Sequence, residues 1–209
     1  MQSNTSETSL VDMCFLERQV RLRGFQSVAG IDEAGRGPLA GPVVAAAVVL
    51  PPDIELPGVR DSKQLKPAQR EACCRTILSR ALDVGIGLVE APEIDRTNIL
   101  QASLLAMVMA IEKLQNPPDY LLIDGPYKLP LPFAQEGIRK GDQRCLCIAA
   151  ASIVAKVHRD SIMCYYHELY PAYGFDRHKG YGTAQHLEAL SRHGPCPLHR
   201  MNFRQVARK

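Results

Sequence analysis

The chain has 209 residues, 46% of them hydrophobic, with 25 Lys and Arg against 22 Asp and Glu for a net charge of +3. That is enough chain for one well-packed core, or a core with a small appendage. No apolar stretch is long enough to span a bilayer, residues 1–12 lack the basic and apolar blocks of a signal peptide, and seven cysteines without framework spacing point to reduced thiols in a cytoplasmic protein.

In chain order, residues 1–7 are expected to be disordered. Residues 10–23 have helical periodicity with a stop at Gly24. Residues 27–32 form the first strand, and 43–50 form a second that is nearly all apolar and so buried on both faces. A loop over 51–61 leads to a helix over 66–82, with Pro67 tolerated in its first turn. A third strand follows at 83–90. An amphipathic helix over 95–114 carries Ile99, Leu100, Leu104, Met107, Val108 and Ile111 on one stripe and ends at Asn116-Pro117-Pro118. Residues 120–124 are a fourth strand and 137–140 a short fifth. A long helix over 146–169, a loop rich in Gly, Tyr and His, and a helix over 183–192 capped by Thr183 complete the chain. This order predicts an α/β fold with a mixed sheet. Residues 1–209 are expected to be a single domain, with 1–145 mostly the sheet core and 146–209 a helical C-terminal part. Charge divides along the same line: residues 1–149 carry 16 basic against 18 acidic groups, residues 150–209 carry 9 against 4. An acidic centre beside a basic region suits a site that holds cations and grips phosphates, and on charge alone a solvated helical surface suits it equally.

The chemistry concentrates where strands end. Asp32 and Glu33 close the run Val28-Ala29-Gly30-Ile31 and open into Gly35-Arg36-Gly37-Pro38. Taken alone, the pair is a turn signal. The two glycines shift that balance, because they let backbone amides approach whatever the carboxylates bind, and Arg36 can pair with a phosphate. Asp124 ends the fourth strand and Asp142 precedes the long helix. Each has a bland reading, as a turn residue and as a helix-start carboxylate. An open α/β sheet gathers such positions at one edge, so the four carboxylates together suggest a hard divalent metal site.

Other segments offer competing chemistry. Gly35-x-Gly37-x-x-Ala40 matches a loose dinucleotide fingerprint, but Pro38, Gly41 and Pro42 lead into a strand where that motif needs a helix. His193, Cys196 and His199, with His178 and His186 nearby, have zinc-compatible spacing, yet Pro195 and Pro197 constrain the backbone and no fourth ligand is evident. The segment from His178 to Thr183 is either a surface loop or a place where Tyr181 meets a sugar or base with His178 and Lys179 near phosphate. Lys156 and Arg159, one helical turn apart, would extend a phosphate-tracking surface; Asp61-Ser62-Lys63 either does the same or has Ser62 as the cap of the next helix.

These motifs, in order from Ser27 to Phe203, closely resemble the prokaryotic ribonuclease HII family, the type 2 ribonucleases H. The stretches carrying the resemblance are Gly30 to Pro42, Asp61-Ser62-Lys63, Ile123-Asp124-Gly125, Lys140-Gly141-Asp142, Ile148 to Asp160, His178 to Thr183 and Gly194 to Arg200. The resemblance implies a ribonuclease H-like fold, a mixed five-stranded sheet flanked by helices with a C-terminal helical appendage. It implies that Asp32, Glu33, Asp124 and Asp142 are catalytic metal ligands, and that Gly35, Arg36, Gly37 and Tyr181 sense the ribonucleotide. Ser62, Lys63, Lys156, Arg159, His178 and Lys179 are expected at the substrate backbone.

The implied substrates are RNA–DNA hybrids and duplex DNA with a single embedded ribonucleotide, cut on its 5′ side to leave 3′-hydroxyl and 5′-phosphate ends during replication and repair. Two Mn²⁺ or Mg²⁺ ions about 4 Å apart would activate water and stabilise the departing oxygen. Cys145 and Cys147 stand where hydroxyl residues are expected, which puts a polar backbone contact in doubt. No aromatic clamp-binding motif is seen near Lys209, so a sliding-clamp tether of the archaeal sort is not expected; nothing in the sequence demands more than a monomer, and no membrane partner is expected. A DNA-strand transferase or junction nuclease shares such a carboxylate site, and a non-catalytic hybrid-binding module shares the grip. The Gly-Arg-Gly turn with Tyr181 favours ribose sensing over the first, and the intact carboxylates favour catalysis over the second.

Overall fold

The computed structural model describes residues 12–59 and 62–207. The expectation of disorder for residues 1–7, and Asp61 of the Asp61-Ser62-Lys63 motif, lie outside them. One mixed five-stranded sheet runs in the order β3-β2-β1-β4-β5. Its strands are β1 (Val28–Ala34), β2 (Val43–Val49), β3 (Asp83–Val89), β4 (Tyr120–Asp124) and β5 (Ala134–Ile138). β1, β2 and β3 form an antiparallel meander, while β4 lies parallel to β1 and β5 parallel to β4.

Residues alternate between two cores, as the period of a strand dictates. Val28, Ala46, Val48, Tyr120 and Leu122 face one core, which also takes in the first half of the long helix α5 (Leu146–Leu169) together with Ile77 of α2 (Pro67–Arg80) and Val20 of α1 (Phe15–Leu22). Ala29, Ile31, Ala45, Ala47, Leu121 and Ile123 face the other, against Ala102, Ala106 and Ala110 of α4 (Ile99–Glu112). β2 is buried along its whole length, as its apolar run required.

Three expectations are corrected. The helix expected over 95–114 is two helices, α3 (Ala91–Arg96) and α4. The chain breaks at Thr97, and Asn98 caps α4 by accepting from the Gln101 amide at 3.0 Å. β5 runs earlier than 137–140; it is a polar edge strand whose register on β4 pairs Tyr120 with Ala134. The loop after α5 contains a 3₁₀ turn (Pro171–Tyr173) and the short helix α6 (Phe175–His178), followed by α7 (Ala184–His193) and α8 (Arg204–Ala207). Thr183 does cap α7, accepting from the His186 amide at 3.3 Å.

The helical part does not separate from the sheet at residue 145. α5 from Leu146 to Ala155 belongs to the sheet core, and only its second half, from Arg159 and Met163 on, meets α6 and α7. α5 lies directly on β1 because Gly30 has no side chain: a Cβ there would sit 2.2 Å from the Cys147 carbonyl carbon. The start of α5 is fixed from α1. Its N-cap residue Cys145 makes no side-chain cap bond, and the Glu17 carboxylate accepts from the Cys147 amide at 2.6 Å instead. Cys145 and Cys147 are fully buried with their sulfurs 3.4 Å apart beside Glu17, so the thiols face α1.

Gly30→Ala is expected to lower stability by about 3 kcal/mol by forcing α5 off β1, a drop of about 6–12 °C in melting temperature for a chain of this size. An unchanged melting temperature would show that the close packing of α5 on β1 is dispensable.

Candidate active site

Parallel pairing of β1 with β4 matches Ile31 to Ile123, so Asp32 and Asp124 emerge side by side at the same sheet edge. Asp32 is 4% exposed and points to the α5 face, where Ser152 donates to it and the Glu33 amide lies 2.7 Å from its Oδ1. Ser62 Oγ is 3.0 Å from Ser152 Oγ, so it extends this chain of hydroxyls. Asp124 Oδ1 accepts from the Gly141 amide at 2.7 Å, which sets Asp142 one residue away, buried in a 3₁₀ turn (Gly141–Gln143) just ahead of α5. Lys63 Nζ stands 3.5 Å from Asp142 Oδ2, and Arg36 Nη1 3.3 Å from Glu33 Oε1. Asp32, Glu33 and Asp124 are thus close enough at two strand ends for their charges to act on one another, and Asp142 adjoins Asp124 through the Gly141 amide.

Their electrostatics are those of crowded acids. Burial, then the charges of Glu33 and Asp124, push Asp32 well above the ordinary carboxylate range, against the hydrogen bonds from Ser152 and the Glu33 amide. Burial also raises Glu33; Arg36 opposes this and Asp124 adds to it. Buried, mutually repelling carboxylates form an all-oxygen donor set of the kind that hard divalent cations take, so these residues fit such an ion. They do not form the tightest donor cluster: among the described residues the one set of three donor atoms all within 4.8 Å of one another is Glu17, Cys145 and Cys147.

The rim is built by the turn after β1. Gly35 has φ +102°, and a Cβ there would lie 2.2 Å from Arg159 Nε, so only glycine fits. The chain then returns antiparallel as β2, with no helix after the glycines, which removes the dinucleotide fingerprint on structural grounds. A cavity of about 260 Å³ touches Glu33, Gly35, Arg36, Gly37, Ser62, Lys63, Lys156 and Tyr181. Tyr181 is 43% exposed, with Lys156 Nζ 5.8 Å from its ring centroid. Lys156 and Tyr181 also border a larger groove of about 870 Å³ that continues between α2 and α5 past Arg75, Arg177 and Lys179.

Two expected surface residues are inside. Arg159 is fully buried and cannot track a phosphate: it donates to the carbonyls of Pro42, Ala40 and Lys179 at 2.9–3.1 Å. His178 is 8% exposed, with its ring committed to the Tyr173 carbonyl and the Gly180 amide. Lys179 turns toward α5 and α6, donating to the Asp176 carbonyl and to Cys164 Sγ. Of the histidines with zinc-compatible spacing, His186 and His199 are instead hydrogen-bonded to each other, and these two and His178 to backbone groups, the Cys196 amide among them.

Three residues of the site escaped sequence reasoning. Ser152 sits in a run of alanines. Tyr127 hydrogen-bonds Arg36, whose guanidinium lies 6.0 Å from its ring centroid. Arg200, fully buried, donates to the carbonyls of Gly35, Arg36, Pro38 and Gly41 at 2.7–3.1 Å. Burial lowers Arg200 to about 9 and Arg159 to about 10, which leaves both charged at neutral pH.

A sequence model of the family described as Ribonuclease HII matches residues 29–206. The chain is 64% identical over 197 residues to the ribonuclease HII of Syntrophobacter fumaroxidans, covering 94% of this chain and 84% of that one. It is 53% identical over 196 residues to that of Bacillus subtilis, covering 94% and 76%. Among solved structures, the ribonuclease H2 of Pyrococcus horikoshii superposes with a TM-score of 0.74 at 29% identity, covering 88% of this chain and 96% of that one. The ribonuclease HII of Archaeoglobus fulgidus, solved in complex with PCNA, gives a TM-score of 0.74 at 26% identity, covering 86% and 96%.

Arg200→Met is expected to cost about 3 kcal/mol or more, because it leaves several buried carbonyls unpaired. Urea denaturation measures this. Arg200→Lys should recover little, since one ammonium cannot reproduce the planar fork. A Met variant within about 1 kcal/mol of the parent would refute the clamp.

Proposed function

The chain belongs to the ribonuclease HII family, and we propose that Asp32, Glu33, Asp124 and Asp142 make it a divalent-metal-dependent nuclease that cuts 5′ of single ribonucleotides in duplex DNA as well as within hybrids. Its activity is that of a ribonuclease H, an endoribonuclease acting on RNA paired with DNA. The observation that carries the finer reading is the meeting of three features at one cavity: Glu33, whose charge acts on its neighbour Asp32, the Gly35-Arg36-Gly37 turn and the exposed ring of Tyr181.

The four carboxylates would hold Mn²⁺ or Mg²⁺. Such ions, when bound, lower the pKa of an attacking water and stabilise the charge that develops on the departing oxygen. The protein's own contribution is placement. Ser152 and the Glu33 amide keep the Asp32 carboxylate turned toward its neighbours, and Gly141 does the same for Asp124. The Gly35–Gly37 turn offers backbone amides at the cavity rim, where a 2′-hydroxyl, absent from DNA, can be recognised. Tyr181 presents its face for a sugar to stack on. Lys63 and Lys156 face the same cavity and would meet the phosphate backbone. Such a placement would produce 3′-hydroxyl and 5′-phosphate ends, and would serve the removal of ribonucleotides from DNA.

The deciding assay compares matched duplexes with and without one ribonucleotide, and a long hybrid, in Mg²⁺, in Mn²⁺ and with chelator. Cleavage confined to ribonucleotide-containing strands and abolished by chelator is expected; equal cutting of all-DNA duplex would point to a junction nuclease. Asp142→Asn should retain the parent melting behaviour and lose about a thousandfold in rate, roughly 4 kcal/mol of transition-state stabilisation. Full activity would remove Asp142 from the set. Tyr181→Ala should lower cleavage at a single ribonucleotide by about tenfold or more, and an unchanged rate there would reject its sensing role.

A further inference from the structure

The loop that presents Tyr181 rests on three buried histidines whose partners favour one assignment of ring protons over the others. The Tyr181 carbonyl lies 2.9 Å from His186 Nδ1. A carbonyl only accepts, so Nδ1 carries the proton, and Nε2 of the neutral ring carries a lone pair. That lone pair faces His199 Nε2 at 3.1 Å, so His199 is protonated at Nε2 and donates. His199 Nδ1 is then an acceptor, and the Cys196 amide donates to it at 3.0 Å. The reverse tautomer of His199 would turn Nδ1–H to the Cys196 carbonyl at 3.3 Å, at the cost of setting two lone pairs face to face between the rings. His178 stacks on His186 with centroids 4.4 Å apart. It donates from Nε2 to the Tyr173 carbonyl at 2.7 Å and accepts the Gly180 amide at Nδ1, 3.2 Å away. His186 is 0% and His199 2% exposed, so neither reaches the cavity. Burial disfavours charge on all three, taking His199 down to about 4, so the neutral chain persists at ordinary pH.

We propose that His186 and His199 are positioning residues for Tyr181. A one-way hydrogen-bond chain, from the Cys196 amide through both rings to the Tyr181 carbonyl, holds the exposed phenol ring over the cavity. His199 acts at a distance: its Nε2–H satisfies the buried lone pair on His186 Nε2 and so fixes the plane of a ring whose Nδ1–H grips the tyrosine backbone. Without that donor the lone pair is left unpaired, and the His186 ring can turn toward another partner and loosen its grip on the Tyr181 carbonyl. The inference rests on the reading of Tyr181 as the ribonucleotide sensor.

Two measurements test it. Long-range ¹⁵N–¹H correlation of the imidazoles should show His186 as the Nδ1–H tautomer and His199 and His178 as Nε2–H tautomers; averaged or opposite tautomers at His186 would overturn the chain. Kinetics on a duplex with one ribonucleotide then compare His199→Phe, His199→Gln and Tyr181→Ala, alone and combined, with melting temperature as the control for folding. His199→Phe should lose about tenfold in kcat/KM, the equivalent of one buried hydrogen bond. His199→Gln, which keeps a donor near the Nε2 position, should recover most of it. In the Tyr181→Ala background His199→Phe should cost nothing further. Additive losses in the double variant would overturn the positioning role and leave the sensing role standing. Full activity of Tyr181→Ala alone would remove the sensing role and this inference with it.

Discussion

Two guanidinium groups, buried without an ion-paired carboxylate among the described residues, hold the C-terminal helical part of this molecule to its sheet. Arg159 comes from α5 and Arg200 from the segment before α8, and both point into the loop between β1 and β2. A buried charge is costly unless its donors are filled. Here backbone carbonyls of residues 35–42, with that of Lys179, fill them. Carbonyls that would otherwise be orphaned in a tight loop gain donors, and the arginines gain enough acceptors to remain charged. The loop is also stitched directly to the C-terminal segment: the Leu39 amide donates to Gly180, the Gly41 amide to Leu198, and the Arg200 amide to Leu39. The Gly35-Arg36-Gly37 turn and the Tyr181 loop are therefore joined by hydrogen bonds through a common set of residues.

The carboxylates depend on a different constraint, the close approach of α5 to β1 at Gly30. Through it Ser152 reaches Asp32, and the turn holding Asp142 is brought against Asp124. Glu17 closes this arrangement from α1 by capping the start of α5. α5 is thus common to both halves. Its first half sets the acids, and its second half carries Lys156 to the cavity and Arg159 to the clamp. This is why the molecule does not divide at the point where the sequence turns from strands to helices.

What could be read from the sequence was whatever is local. The all-apolar β2, the strand ends at Asp32 and Asp124, and the Thr183 cap each follow from neighbours within a few residues. The break at Thr97-Asn98 was also local: Asn98 is a good cap, but the apolar stripe through Ile99 to Ile111 masked it by extending the apparent helix backward. β5 reads three residues late, at 137–140 and not Ala134–Ile138, because an edge strand with one solvated face needs few apolar residues to mark where it begins. The buried cations were illegible for another reason. Lys156 and Arg159 lie on one helix, one turn apart, and look alike as phosphate ligands. Only the loop 35–42 and Lys179, distant in sequence, decide that Arg159 is enclosed while Lys156 stays at the cavity. The same holds for His178, His186 and His199, whose spacing resembles a ligand set until the backbone groups that occupy their nitrogens are known.

Rigidity matters here because of how little separates the proposed substrates. Ribose and deoxyribose differ by one hydroxyl, and a hydrogen bond formed from water nets only about 0.5–1.5 kcal/mol. Discrimination grows beyond that when the donor cannot relax and so is left unpaired against the wrong sugar. A mobile loop would move to satisfy its amides with water. The turn at Gly35–Gly37 has its carbonyls fastened by Arg200, so its amides are denied that freedom. Tyr181 is anchored through its own backbone by histidines that never meet solvent. In the proposed reading the two supports serve one end. The arginine clamp fixes the donors, the histidine chain fixes the stacking surface, and the strand-end carboxylates act on whichever phosphate those two have admitted.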